Sequence, residues 1–129
     1  MVTALLVGAG GFIGAVSRYF LSGLVQNVSG NGDFPWGTLA VNVVGCLAVG
    51  LLMGIAENRE CFGLDARAFI FIGVLGGFTT FSAFGWETIA LLKNGEVLFA
   101  VTNIILQIIL GIGGAGIGYF IGMRSMFSL

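Results

Sequence analysis

The sequence predicts an all-α membrane protein of four spans, and three observations carry that reading. Of its 129 residues 57% are hydrophobic and only 9% charged, against about 25% charged residues in soluble domains. Mean hydropathy is +1.07, and four apolar stretches reach the roughly 20 residues that a bilayer crossing requires. Glycines recur four residues apart within those stretches, as Gly10 and Gly14, Gly50 and Gly54, and Gly114, Gly118 and Gly122. That spacing lets helix backbones approach closely in a compact bundle.

The helices are expected over residues 2–25, 36–56, 66–92 and 97–123, all within one domain covering 1–129. The first follows Met1 without a basic start or a small-residue cleavage site, so it reads as a retained helix and not a signal peptide. Gln26 to Phe34, with Asn27, Ser29, Gly30, Asn31, Gly32 and Asp33, reads as a turn-rich loop. Pro35 suits the opening of the second helix, where its missing N–H is not needed. Glu57 to Asp65 carries most of the loop charge, and Lys93 to Glu96 forms a tight turn around Gly95.

Composition narrows the function classes. A net charge of −1 gives no reason to expect nucleic acid as a partner. The chain has no histidine and two cysteines, Cys46 within a span and Cys61 in a loop, which excludes a disulfide framework and the usual zinc spacings. No span or loop gathers a nucleophile, a base and oxyanion donors, so an enzyme is not expected. With four spans, Arg59, Arg67 and Arg124 share one side of the membrane. The other side holds Lys93, and Arg18 if it is counted there. So small a bias is compatible with insertion in both orientations, with a single orientation as the alternative; if both occur, an antiparallel homodimer is the natural assembly.

Polar residues inside the spans point to chemistry, because each is costly in hydrocarbon unless paired. Thr38, Asn42 and Gly45 fall on one face of the second helix, and Asn103, Gln107 and Gly111 on one face of the fourth. These residues suit a hydrogen-bonding ladder, with interhelical bonding as the structural counterpart. The third stretch carries Gly76-Gly77-Phe78-Thr79-Thr80-Phe81-Ser82-Ala83-Phe84 about 15 Å into its span. Two glycines followed by two β-branched threonines predict a break near the midplane. Backbone groups freed there must be buried or line a path for something polar. Carbonyls from two such breaks would suit one small cation such as sodium. Phe81 and Phe84, three apart, share a face; packing is the default for them, and positive ring edges toward an anion path the alternative.

At these residues the chain resembles the small fluoride channel family, Fluc or CrcB, over nearly its whole length. The resemblance rests on Gly10-Gly11-Phe12-Ile13-Gly14-Ala15-Val16-Ser17-Arg18-Tyr19, on Gly37-Thr38-Leu39-Ala40-Val41-Asn42-Val43-Val44-Gly45, and on Gly76 to Phe84. It implies a fluoride-selective passive channel in the plasma membrane, the inner membrane of a bacterium, built as an antiparallel dual-topology dimer with two pathways. It also implies a structural sodium ion at the dimer interface, held by the main-chain carbonyls of Gly76 and Thr79. Asn42, Phe81 and Phe84 match the family's pore positions. Thr80 and Ser82 match its polar track, Arg18 its entry arginine and Glu87 the acid after the aromatic motif. Thr38 joins the pathway through its face with Asn42. Where many members carry tyrosine and serine, this chain has Asn103 and Gln107. The alternatives are a proton-coupled small exporter, which a histidine-free core with no acid in its first helix serves poorly, and a noncatalytic membrane scaffold subunit.

Overall fold

A computed structural model describes residues 1–30, 32–57 and 62–125. Asn31, Arg59 and Cys61 lie outside the described residues, so the loop roles expected of them are not taken further. Four helical segments are long and apolar enough to cross a membrane: Val2–Val28, Trp36–Glu57, Leu64–Lys93 and Val97–Arg124. The first two are α1 and α2, and the last is α5. The third divides into α3, residues 64–78, and α4, Phe81–Lys93. Within α3 the stretch Ala68–Leu75 is wound as a π-helix, the i→i+5 form.

Helix α1 runs three residues beyond its expected end, because the side chain of Gln26 supplies bonds that an open loop would lack. Its Nε2 donates to the carbonyls of Gly32 and Phe34, each at 3.1 Å, and its Oε1 accepts from the Gly37 N–H at 3.1 Å. Phe34, 5% exposed, is pinned against Trp36 and Phe99, with ring centroids 4.5 and 6.0 Å away. The short turn between α4 and α5 closes at Gly95, whose φ of +81° favours glycine.

The helices pack as two pairs, α1 with α3 and α2 with α5, the second being the more extensive. Glycine makes both pairings possible. A Cβ on Gly50 or Gly54 would strike the carbonyl of Ala115 or Tyr119, and one on Gly118 or Gly122 the carbonyl of Leu47 or Leu51. Gly10 and Gly14 meet the α3 backbone in the same way, while Gly114 has only ordinary contact at 3.4 Å. The tight seam thus holds α2 at a fixed height against α5, which sets where the polar residues of both helices lie. We expect Gly50→Val and Gly118→Val each to destabilise the folded protein by about 1–3 kcal/mol through overpacking. Gly8→Ala, where nothing lies within 4 Å, should leave it unchanged. Unfolding curves in detergent measure both.

Candidate functional site

The site is organised by the segment between α3 and α4. Thr79 and Thr80 are extended, with φ, ψ of −83°, 158° and −150°, 111°. Gly76 and Gly77, the first residues of the glycine–threonine run in which the sequence predicts the interruption, remain helical. The difference is physical: β-branched threonine favours extended backbone, whereas Gly77 is needed for approach, since a Cβ there would lie 2.6 Å from the Gly11 carbonyl. Thr79 ends α3 twice over, its N–H and Oγ1 both donating to the Leu75 carbonyl at 3.0 and 3.1 Å. Thr80 caps α4, its Oγ1 accepting from the Ala83 N–H at 3.2 Å.

Two extended residues leave peptide groups without helical partners, and Asn42 of α2 supplies them. Its Oδ1 accepts from the Thr80 N–H at 2.8 Å, and its Nδ2 donates to the Thr80 carbonyl at 3.1 Å. Nδ2 also donates to Gln107 Oε1 of α5 at 3.1 Å. Both hydrogens of the Asn42 amide are therefore engaged within the chain. Gln107 Nε2, by contrast, is buried without a partner.

Two cavities flank this junction. One of about 410 Å³ is lined by Asn42, Gly76, Thr80, Phe81, Phe84 and Gln107, among others, with no charged side chain in its wall. The Phe81 and Phe84 rings meet edge-on, centroids 5.4 Å apart, and Phe81 is 82% exposed. The other, of about 630 Å³, includes Arg18, Gln26, Thr38, Thr80, Ser82 and Glu87 in its wall. Thr80 belongs to both. Its hydroxyl lies 3.3 Å from that of Ser82, so hydroxyls continue from the charged cavity to the uncharged one.

Arg18 Nη1 donates to the Thr79 carbonyl at 3.2 Å, and Thr38 Oγ1 donates to Glu87 Oε1 at 2.6 Å. No group of three or more His, Cys, Asp and Glu side chains that would hold a metal occurs among the described residues, which leaves oxygens such as the carbonyls at the end of α3 as candidate ligands for a small cation. Gly76 fits that use. The N–H four residues on, that of Thr80, is turned to Asn42, which frees the Gly76 oxygen on an exposed stretch of wall. Thr79 fits it less simply, because one lone pair of its carbonyl already faces a guanidinium.

The family described as CrcB-like protein, Camphor Resistance (CrcB), matches residues 5–119. The chain belongs to the CrcB-like family. A relative from Methylobacillus flagellatus, named fluoride-specific ion channel FluC, is 45% identical over 87% of this chain and 88% of its own length. FluC of Clostridium novyi is 42% identical over 95% and 94%, and FluC 1 of Methanosarcina acetivorans 44% over 92% and 88%. As a CrcB-like protein with four spans, the chain is a multi-pass membrane protein.

Of the residues singled out in the sequence, the fold brings Asn42, Gly76, Thr79, Thr80, Phe81, Phe84 and Gln107 to one cavity. Arg18, Thr38 and Ser82 line the other. Asn103 borders neither. It is fully buried, its Nδ2 donating to Thr88 Oγ1 at 3.0 Å, and Thr88 Oγ1 donates to the Phe84 carbonyl at 2.8 Å. Thr88 escaped the sequence reading, although its position four residues after Phe84 is the spacing at which a threonine bonds back along its own helix. We expect Thr88→Val to cost about 1–3 kcal/mol by stranding the buried Asn103 amide. Asn103→Leu added to it should cost less than the sum of the two single changes, and a double-mutant cycle on unfolding free energies reads the coupling.

Proposed function

We propose that this protein is a fluoride-selective channel that lets the ion leave passively across the plasma membrane, the inner membrane in a bacterium. The observation that carries the reading is the uncharged cavity between Asn42, Thr80, Gln107 and the two phenylalanines, in a chain at least 42% identical to relatives named fluoride-specific ion channels. Fluoride is small and holds water tightly, so a path must replace its hydration with hydrogen-bond donors. Hydroxyls of Thr80 and Ser82, side-chain amides and ring edges offer such contacts. A fixed positive charge in the narrow part would hold the ion too well to release it. Arg18 stands in the wider cavity, where its charge attracts anions toward the entrance without trapping them. The N-terminus of α4, beginning just after Thr80, adds the positive end of a helix dipole beside the path.

The pathway is completed by a second copy of the chain, inserted antiparallel. Support comes from the backbone: the break between α3 and α4, near the membrane midplane in this reading, leaves the Gly76 carbonyl without its helical donor on an exposed surface beside Phe81. A bare carbonyl is not tolerated in hydrocarbon. A second protomer covers it and brings an equivalent set of carbonyls, and Gly76 and Thr79 of both chains would then hold one structural sodium ion. That ion, when bound, supplies a fixed central positive charge; this chain's part is to present the oxygens and keep water out.

Fluoride efflux from liposomes containing only the purified protein should be fast, electrogenic and indifferent to an imposed pH gradient. Strict dependence on the proton gradient would instead identify a coupled exporter. Reporters fused to one terminus should be found on both faces of the membrane. Recovery on a single face would remove the antiparallel dimer.

A further inference from the structure

We infer that Gln107 is the side-chain amide donor to the permeating ion, and that Asn42 is a positioning residue that turns it to that task; this rests on the fluoride-channel reading. The backbone N–H of Thr80 can only donate, so the atom facing it at 2.8 Å must be Asn42 Oδ1. The orientation of the Asn42 amide is thereby fixed, which sends Nδ2 toward α5. Its partner there must be an acceptor, and that fixes the next amide: Oε1 of Gln107 faces Asn42 at 3.1 Å, and Nε2 faces away. Turning the Gln107 amide over would set two NH2 groups against each other.

The end of this chain of constraints is a donor without an acceptor. Gln107 Nε2 is buried and finds no partner among the described residues, while its residue lines the uncharged cavity. An unpaired buried donor is expensive and calls for a ligand, a water or an ion. Nε2 itself has almost no surface open to a water-sized molecule, so it meets a small acceptor only when the Gln107 side chain turns toward the cavity that its residue lines. Asn42 has no hydrogen left to give. The amide that replaces water around the ion is thus contributed by α5, and the residue in the more evident position holds it in place.

The sequence contains two glutamines, Gln26 and Gln107, so glutamine-selective 15N labelling of the full-length protein in lipid nanodiscs yields two side-chain amide signals. Gln26 gives the second signal, with both its hydrogens on loop carbonyls. Gln26→Glu assigns the pair. On addition of sodium fluoride the Gln107 signal should shift, and the same concentration of sodium chloride should leave it in place. In Asn42→Asp the carboxylate still accepts from Thr80 but cannot donate to Gln107, whose Nε2 turns to it, so the fluoride-dependent shift should disappear. Gln107→Met should lower liposomal fluoride efflux about tenfold or more, the cost of one lost bond to a charged partner. A Gln107 signal indifferent to fluoride in the wild-type protein, or a shift retained in Asn42→Asp, overturns the inference. Wild-type efflux at the protein-free rate would instead defeat the channel reading itself, and the labelled amide reports on binding independently of it.

Discussion

The pairing of the Asn42 amide with the Thr80 peptide is the interaction on which the rest of the structure depends. A helix interrupted inside a membrane strands polar backbone groups where no water can reach them, each at a cost of several kcal/mol. One asparagine amide meets both the N–H and the carbonyl of Thr80. That requires α2 to stand very close to the interruption. Gly45, one turn below Asn42, permits it, since a Cβ there would collide with the Thr79 methyl group. The height of α2 is set in turn by its glycine seam with α5. The same seam brings Gln107 level with Asn42. Helix packing, backbone satisfaction and the polar cavity are therefore one problem with one solution.

The sequence disclosed the four spans, the glycine seams and the segment that would carry the interruption, because each is written in local composition and spacing. Within that glycine–threonine run, which residues would leave the helix was not stated. Gly76 and Gly77 look like the flexible point, yet Gly77 is a contact residue against α1, and the extended backbone falls on the threonines. Local preference could not reveal that a neighbouring helix had already claimed the glycine. Asn103 and Gln107 teach the same lesson. They are alike in chemistry and one turn apart on α5, but one is sealed against Thr88 and the other reaches the cavity wall. Only the register between helices separates them, and a single sequence does not state register.

Charge is distributed across the two cavities in a way that suits attraction first and release afterwards. Arg18 is held at the wider one with its guanidinium on the Thr79 carbonyl, and Glu87 is held there by Thr38. The smaller cavity has none of these charges in its wall. At an effective dielectric of about 20, a unit charge 4 Å away is worth about 4 kcal/mol to an anion, enough to detain it. Placing the charge in the wall of the larger cavity weakens that hold while preserving the pull at longer range.

Exposed apolar surface by itself argues nothing about assembly in such a chain, since lipid covers leucine and phenylalanine as readily as protein does. The exposed Phe81 ring would be content in a bilayer. The carbonyl beside it would not: it has to be buried in protein or line a polar path. Gly76 presents a backbone oxygen that has lost its helical donor, on a surface with no side chain of its own to shield it. Oxygen that needs a polar partner, next to rings that do not, is what the antiparallel copy proposed above would meet. Two such faces opposed would screen each other's carbonyls while leaving the cavity walls of Asn42, Thr80 and Gln107 lining a passage and not a core.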